Sequence, residues 1–311
     1  MKPPAFEYVG ATSVAEAVAV LASEEDAKVL AGGQSLLPLL ALRLARPSRL
    51  VDIGRLRLDE IELGPDDSPA AGAYAGGAGG PTLRLGALTR QRRLETDAAV
   101  GRAAPLLREA ARYVGHPATR NRGTLGGSLA HADPAAELPA VAVALDALVV
   151  ATGPDGSRQL TCAELVEGYF TTTLEPAEIL TEIRVPAAGP RHGAAWSEWA
   201  PRAGDFAEVG VGVALELDAH GVCHWVGAAA CSVASVPLVL GPALAEAGVV
   251  GAESAAPALL RAVAQSVKEA ASAAGDDKAE LAALLAARSV ADAFERAQRD
   301  RARLDQAEPA A

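Results

Sequence analysis

Cysteine is scarce in this chain of 311 residues: Cys162, Cys223 and Cys231 are its three, and no two form a CxxC pair. That excludes a disulfide scaffold, a zinc ribbon and a Cys₄ iron–sulfur site within the chain, and the odd count fits a reducing compartment. Positive charge is also in deficit, with 28 Lys+Arg against 39 Asp+Glu and a net charge of -11. Nucleic acid and anionic membrane surfaces need clustered Lys/Arg, so neither is an expected partner. The start Met1-Lys2-Pro3-Pro4-Ala5-Phe6-Glu7 lacks the apolar core of a signal peptide. The charge-free stretch 225–245 is long enough to suggest a membrane span, but Pro237, Gly241 and Pro242 interrupt it. It reads as buried strands broken by turns, and the expectation is a cytoplasmic protein with no membrane insertion. Several catalytic signatures are missing as well. Neither GxG (Gly77/Gly79, Gly210/Gly212) has a glycine three residues on, and no GK pair or GxSxG elbow occurs.

What is present is ordinary globular material: 50% hydrophobic and 22% charged residues, enough for two or three domains. Ser13 and Glu16 form a capping-box pattern that opens a helix running to about Ser23. Lys28–Ala31 and Leu50–Ile53 read as strands flanking a helical stretch, Leu36 to Leu44. Gly64–Pro81 reads as a hairpin tip or insertion, and Thr82–Gly86 resumes strand alternation. Helices follow near Thr89–Thr96 and from Pro105 to a Gly115 cap. The segment His116–Pro139 reads as a long irregular loop, a length that points to function. Beyond a boundary near 175–190, Phe206–Leu217 and Val222–Val233 read as a β pair, and Ala-rich helices occupy Ala255–Leu304.

Two glycine pairs stand out, Ala31-Gly32-Gly33-Gln34-Ser35 and Thr124-Leu125-Gly126-Gly127-Ser128. Each lies between an apolar segment and a helix start and precedes a hydroxyl. Glycine lets backbone N–H groups approach an anion, so two such loops suit the two phosphates of a dinucleotide; ordinary tight turns are the competing reading. His131, Asp133 and Glu137 superficially resemble metal ligands, yet Pro134 interrupts them and only one is a histidine, so no metal is expected. Arg120-Asn121-Arg122 stands beside the second pair, where it would neutralise phosphate charge or simply face solvent.

The stretch Ala31–Pro38 with Leu42–Pro47 and Leu50–Ile53 resembles the first FAD motif of molybdenum-hydroxylase flavin subunits, the medium subunits of the carbon monoxide dehydrogenase and xanthine dehydrogenase type. Arg120–Pro134 resembles the second motif, and Tyr169–Thr172, Glu178–Leu180 and Arg202–Ala207 continue the likeness in order. The resemblance implies an α+β chain: a two-lobed FAD-binding domain of the vanillyl-alcohol-oxidase (PCMH) type, then a smaller α+β domain. The expected division is 1–178, with lobes of about 1–55 and 56–178, then 179–304, with 305–311 a disordered tail. It implies non-covalent FAD held at Ala31, Gly32, Gly33, Gln34, Ser35, Leu36, Thr124, Gly126, Gly127 and Ser128. Glu137 would meet the ribityl or ribose hydroxyls, Leu180 the adenine end and Phe206 the isoalloxazine. Where the family carries basic residues, this chain has Glu198 and Pro201. The implied function is electron transfer within a molybdenum hydroxylase. The molybdenum cofactor would lie on a large partner subunit and the [2Fe–2S] clusters on a small one, in a dimer of heterotrimers. A self-sufficient flavin oxidase and a non-catalytic nucleotide-binding module are the alternatives.

Overall fold

The computed structural model describes residues 2–65, 80–275 and 277–307, so the tip of the Gly64–Pro81 segment lies outside the described residues. The first lobe comprises β1 (Glu7–Gly10), α1 (Val14–Ser23), β2 (Ala27–Leu30), α2 (Leu36–Ala41) and β3 (Arg49–Asp52). Its sheet is parallel in the order β1-β3-β2, which requires the crossovers that α1 and α2 supply. Ser13 caps α1 through Glu16 N at 3.1 Å, while the Glu16 carboxylate turns back to the amide and hydroxyl of Thr12. Ala17, Val18 and Leu21 of α1 pack on Val51 and Ile53 in the core of this lobe.

The second lobe runs through β4 (Ile61–Pro65), β5 (Pro81–Gly86), α3 (Gln91–Thr96), α4 (Ala98–Ala103), α5 (Pro105–Ala110), α6 (Pro117–Arg122), α7 (Leu125–His131) and α8 (Glu137–Ala144). It continues with β6 (Leu148–Gly153), β7 (Gly156–Thr161), α9 (Cys162–Leu165), β8 (Val166–Gly168), β9 (Thr171–Thr172) and β10 (Ile179–Pro186). The strand order β4-β5-β10-β6-β7 puts β10 at the centre of the sheet. The division expected after residue 178 would cut this strand away, because β10 pairs with both β5 and β6. The irregular loop expected over His116–Pro139 is largely helical, since α6, α7 and the start of α8 fall within it. Short helices punctuated by Gly and Pro leave no hydrophobic period long enough to read.

The remaining elements are β11 (His192–Trp199), β12 (Val209–Leu217), β13 (Cys223–Cys231), β14 (Leu238–Val239), α10 (Gly241–Glu246), α11 (Pro257–Ala273) and α12 (Ala279–Ala307). They form an antiparallel sheet, β11-β12-β13-β14, backed by helices. Every residue of β12 is buried. Val209, Val211, Val213, Leu215 and Leu217 join the core shared with α11 and α12. The alternate positions Gly210, Gly212 and Ala214 are small and face the second lobe, where the Trp196 ring lies across both glycines. The small face lets the two domains share one core, in which Leu106, Val141 and Leu145 join Trp196, Ala214 and Ala229. α12 continues through Ala307, so the first three residues of the expected disordered tail are helical.

Candidate functional site

The first glycine loop leaves the end of β2 and enters α2. Gly33 sits at φ +72°, a conformation that L side chains rarely adopt. Among the described residues, none of the amides of Gly32, Gly33, Gln34 and Ser35 in this left-handed turn donates to a protein acceptor. Gln34 Nε2 donates to Gly32 O at 3.1 Å and braces the turn from within. Successive N–H groups around a left-handed residue make a concavity suited to an anion.

The second loop is built differently. Thr124 is buried, and its Oγ1 accepts from Gly127 N at 3.1 Å as the N-cap of α7. Leu125 N donates to Thr89 O at 2.9 Å and Gly126 N to Ala87 O at 2.8 Å. The amides at the start of α7, expected to grip phosphate, are therefore already taken within the protein. Gly126 has a packing reason of its own: a Cβ there would lie 2.6 Å from Ala87 Cβ. Ser128 stays partly exposed beyond these bonds.

The two loops meet. A Cβ on Gly32 would run into the carbonyl oxygen of Arg122, and one on Gly127 would lie 3.8 Å from Ala31 Cβ. Residues 90 and 96 positions apart in sequence thus form one surface, with the first loop on one side and the Thr124-capped helix on the other. Arg120 does not join it. Its side chain is buried and turned toward α3, with Nε on Glu95 at 3.1 Å.

Glu137 is 6% exposed at the first position of α8. Burial pushes its carboxyl up to about 8; its own amide opposes that shift, Glu198 and Asp133 reinforce it, and Arg120 partly offsets it. Glu198, Gly210 and Cys231 occupy one row across β11, β12 and β13. Trp196 Nε1 donates to Glu198 Oε2 at 2.9 Å, while burial raises the Glu198 carboxyl despite that bond. Leu180 is buried in the core of the second lobe, and Leu36 is partly exposed. Phe206 is 69% exposed, which removes it from the core.

Two stretches that carried the likeness, 120–134 and 169–172, meet here in a way that no spacing in the sequence marks. Phe170 holds φ +54° with its amide donating to Ala132 O at 3.0 Å, and Ala132 is itself at φ +49°. The Phe170 ring lies 5.2 Å from that of His131. Two non-glycine residues in left-handed backbone, one bonded to the other, tie the β8–β9 turn to the end of α7.

Residues 4–188 match the family described as the FAD binding domain in molybdopterin dehydrogenase. The alpha subunit of the 6-hydroxypseudooxynicotine dehydrogenase complex of Paenarthrobacter nicotinovorans is 44% identical over 225 residues, covering 72% of this chain and 71% of that one. The carbon monoxide dehydrogenase medium chain of Hydrogenophaga pseudoflava is 38% identical over 225 residues, 72% of this chain and 74% of its own. The solved carbon monoxide dehydrogenase from the same organism, lacking the Mo-pyranopterin moiety of its molybdenum cofactor, superposes with a TM-score of 0.83 at 33% identity. It covers 95% of this chain and 99% of that one. The α+β class and the resemblance read from the two glycine motifs both hold: the chain belongs to the family of FAD-binding domains of molybdopterin dehydrogenases.

Proposed function

We propose that this chain is the FAD-carrying electron-transfer subunit of a molybdenum hydroxylase. The observation that carries the reading is the run of four unclaimed amides at Gly32–Ser35, set against the capped start of α7 in a chain of this family. Those amides hold the FAD pyrophosphate, and the partly exposed Ser128 is placed to add its hydroxyl. Ala31, Gln34 and Leu36 shape the first loop, while Thr124, Gly126 and Gly127 shape the second by capping and close packing. Glu137 meets the ribityl or ribose hydroxyls. With its proton retained near neutral pH, its carboxyl donates as well as accepts a hydrogen bond. Leu180 contributes from the sheet behind the adenine end, and exposed Phe206 offers a ring to the isoalloxazine. Non-covalently bound FAD supplies the exchange between one-electron and two-electron transfer, and the protein binds, orients and tunes it.

Electrons arrive from the [2Fe–2S] clusters of a small partner subunit and leave to an external acceptor, with substrate oxidation on a large molybdenum subunit. The relatives support this division of labour, one being a medium chain and another a subunit of a dehydrogenase complex. Three buried, unpaired cysteines suit a reducing compartment such as the cytoplasm, and the complex assembles as a dimer of heterotrimers. The test is to purify the full chain with whatever accompanies it. The expected result is a yellow complex with one FAD per chain, a large molybdenum subunit and a small cysteine-rich one. The lone chain should be reducible by dithionite and inert toward organic substrates. Vigorous turnover of an alcohol or aldehyde by the lone chain would overturn the proposal in favour of a self-sufficient oxidase, and a colourless chain that takes up no FAD would overturn it altogether.

A further inference from the structure

Arg120 carries an arrangement that neither a phosphate ligand nor a surface arginine would show. Its residue is 7% exposed. Its Nε donates to Glu95 Oε2 at 3.1 Å, and its Nη1 donates to the carbonyls of Val114 and Gly115 at 3.1 and 3.0 Å. Glu95, near the end of α3, also accepts from Arg92 at 2.8 Å, and its backbone carbonyl accepts from Arg108 Nε at 3.2 Å. Burial alone would raise the Glu95 carboxyl, but the bonds from Arg92 and Arg120 outweigh it and hold the group below its ordinary range. Three guanidinium groups thus converge on one residue, and the best-buried of them closes the chain segment 114–120 onto α3.

The six-residue helix that carries Arg120 ends in the surface against which the first glycine loop rests. Gly123 N bonds to Thr119 O at 2.7 Å, Gln91 N to Gly123 O at 3.0 Å, and the Arg90 guanidinium holds Arg122 O. Gly32 packs on Arg122 and Gly123 too closely for any side chain. A planar fork with fixed donor directions suits such a clamp, whereas a lysine ammonium is a compact point charge on a flexible stem whose rotatable donors fix no such directions. We propose that Arg120, through Glu95 and the carbonyls of Val114 and Gly115, is a positioning residue that sets the register of the two glycine loops and hence the affinity for FAD. The inference rests on the FAD assignment made above.

The experiment uses the full chain, purified with its partners, stripped of FAD and titrated with FAD by flavin fluorescence and visible circular dichroism. The variants are Arg120→Met, Arg120→Lys and Glu95→Gln. Arg296→Met serves as the control, because Arg296 ties α12 to Glu109 and Ala194 O away from the loops. Arg120→Met should weaken FAD binding about tenfold and alter the visible dichroism of the bound flavin. Arg120→Lys should recover part of the affinity, and Glu95→Gln should fall between wild type and Arg120→Met. Arg296→Met should lower the melting temperature without moving either flavin readout. If Arg120→Met fails to fold, Arg120→Lys and Glu95→Gln decide the matter. Wild-type affinity and dichroism in the Arg120 and Glu95 variants, with only thermal stability reduced, would overturn the clamp alone. A wild-type chain that binds no FAD would overturn the FAD assignment and the clamp with it.

Discussion

At Gly33 the backbone occupies φ +72°, and a Cβ would lie 2.9 Å from Leu37 Cδ1. A valine there has both a strained backbone and a clash, at a cost of about 1–2 kcal/mol for the dihedral alone. Gly33→Val should therefore lose FAD while far-ultraviolet dichroism shows the fold retained; a variant that purifies with a full complement of flavin would refute the loop assignment. Burial pushes the Glu137 carboxyl up to about 8, with the charges of Glu198 and Asp133 reinforcing the shift and Arg120 opposing it. An acid raised in the folded state binds its proton more tightly there than in the unfolded chain. Its contribution to stability is full below the ordinary carboxylate range and is lost as pH rises through about 8. The melting temperature of the FAD-free chain should fall from about pH 4.5 to about pH 8 and level off above that, and Glu137→Gln should flatten the fall. An identical pH profile in the variant would sink the assignment. The place of Phe206 beside the isoalloxazine is implied by resemblance alone: an isolated Phe before a strand more often belongs to a core, and the tertiary structure leaves it exposed.

Among the elements, α7 shows how a short helix is made by its surroundings. With seven residues and two glycines it is too short to stand alone, and its first three amides are satisfied from outside the helix by Thr89 O, Ala87 O and the Thr124 hydroxyl. Thr124→Ala should cost about 1–2 kcal/mol by removing the cap and leaving Gly127 N unpaired, and it should weaken FAD binding because the helix start loosens. Thr124→Ser should restore both, as measured by thermal melts and flavin titration; an alanine variant matching wild type in both would remove the cap from the site. The Thr-x-Gly-Gly pattern marked the loop, but not that its amides face the protein. That fact depends on residues 87–89, more than 30 positions away in the chain. The same dependence hid α6, whose Arg120 reads as a phosphate contact or a solvent-facing residue until α3 packs beside it.

Across the whole molecule, the seam between the second lobe and the C-terminal sheet is continuous core rather than a wet interface. Gly227 on β13 sits against the carbonyl of Ala144 at the end of α8, with no room for a Cβ. Gly227→Ala must push the lobe from the sheet, and a backbone neighbour cannot swing aside as a side chain would. Calorimetry should show a large fall in melting temperature, of the ~3 kcal/mol order typical of core disruption, with the single transition splitting toward two. A single transition at the wild-type temperature would show that the seam yields more easily than its packing implies.

By itself the sequence determined several strands and capped helix starts, the absence of a Cys₄ site within the chain, and the two glycine motifs, whose resemblance to the family implied the α+β class. These rest on local chemistry: backbone freedom at glycine, capping hydroxyls, and the alternation of apolar residues along strands. Only the tertiary structure decided that β10 belongs to the centre of the second sheet, that the amides of the first loop are unclaimed while those of the second are spent, and that Arg120 is a buried clamp. Each of these is a question of which partner satisfies a polar group. A hydrogen bond between residues dozens of positions apart leaves no period or spacing in the chain, because it is chosen when the elements pack and not when they form.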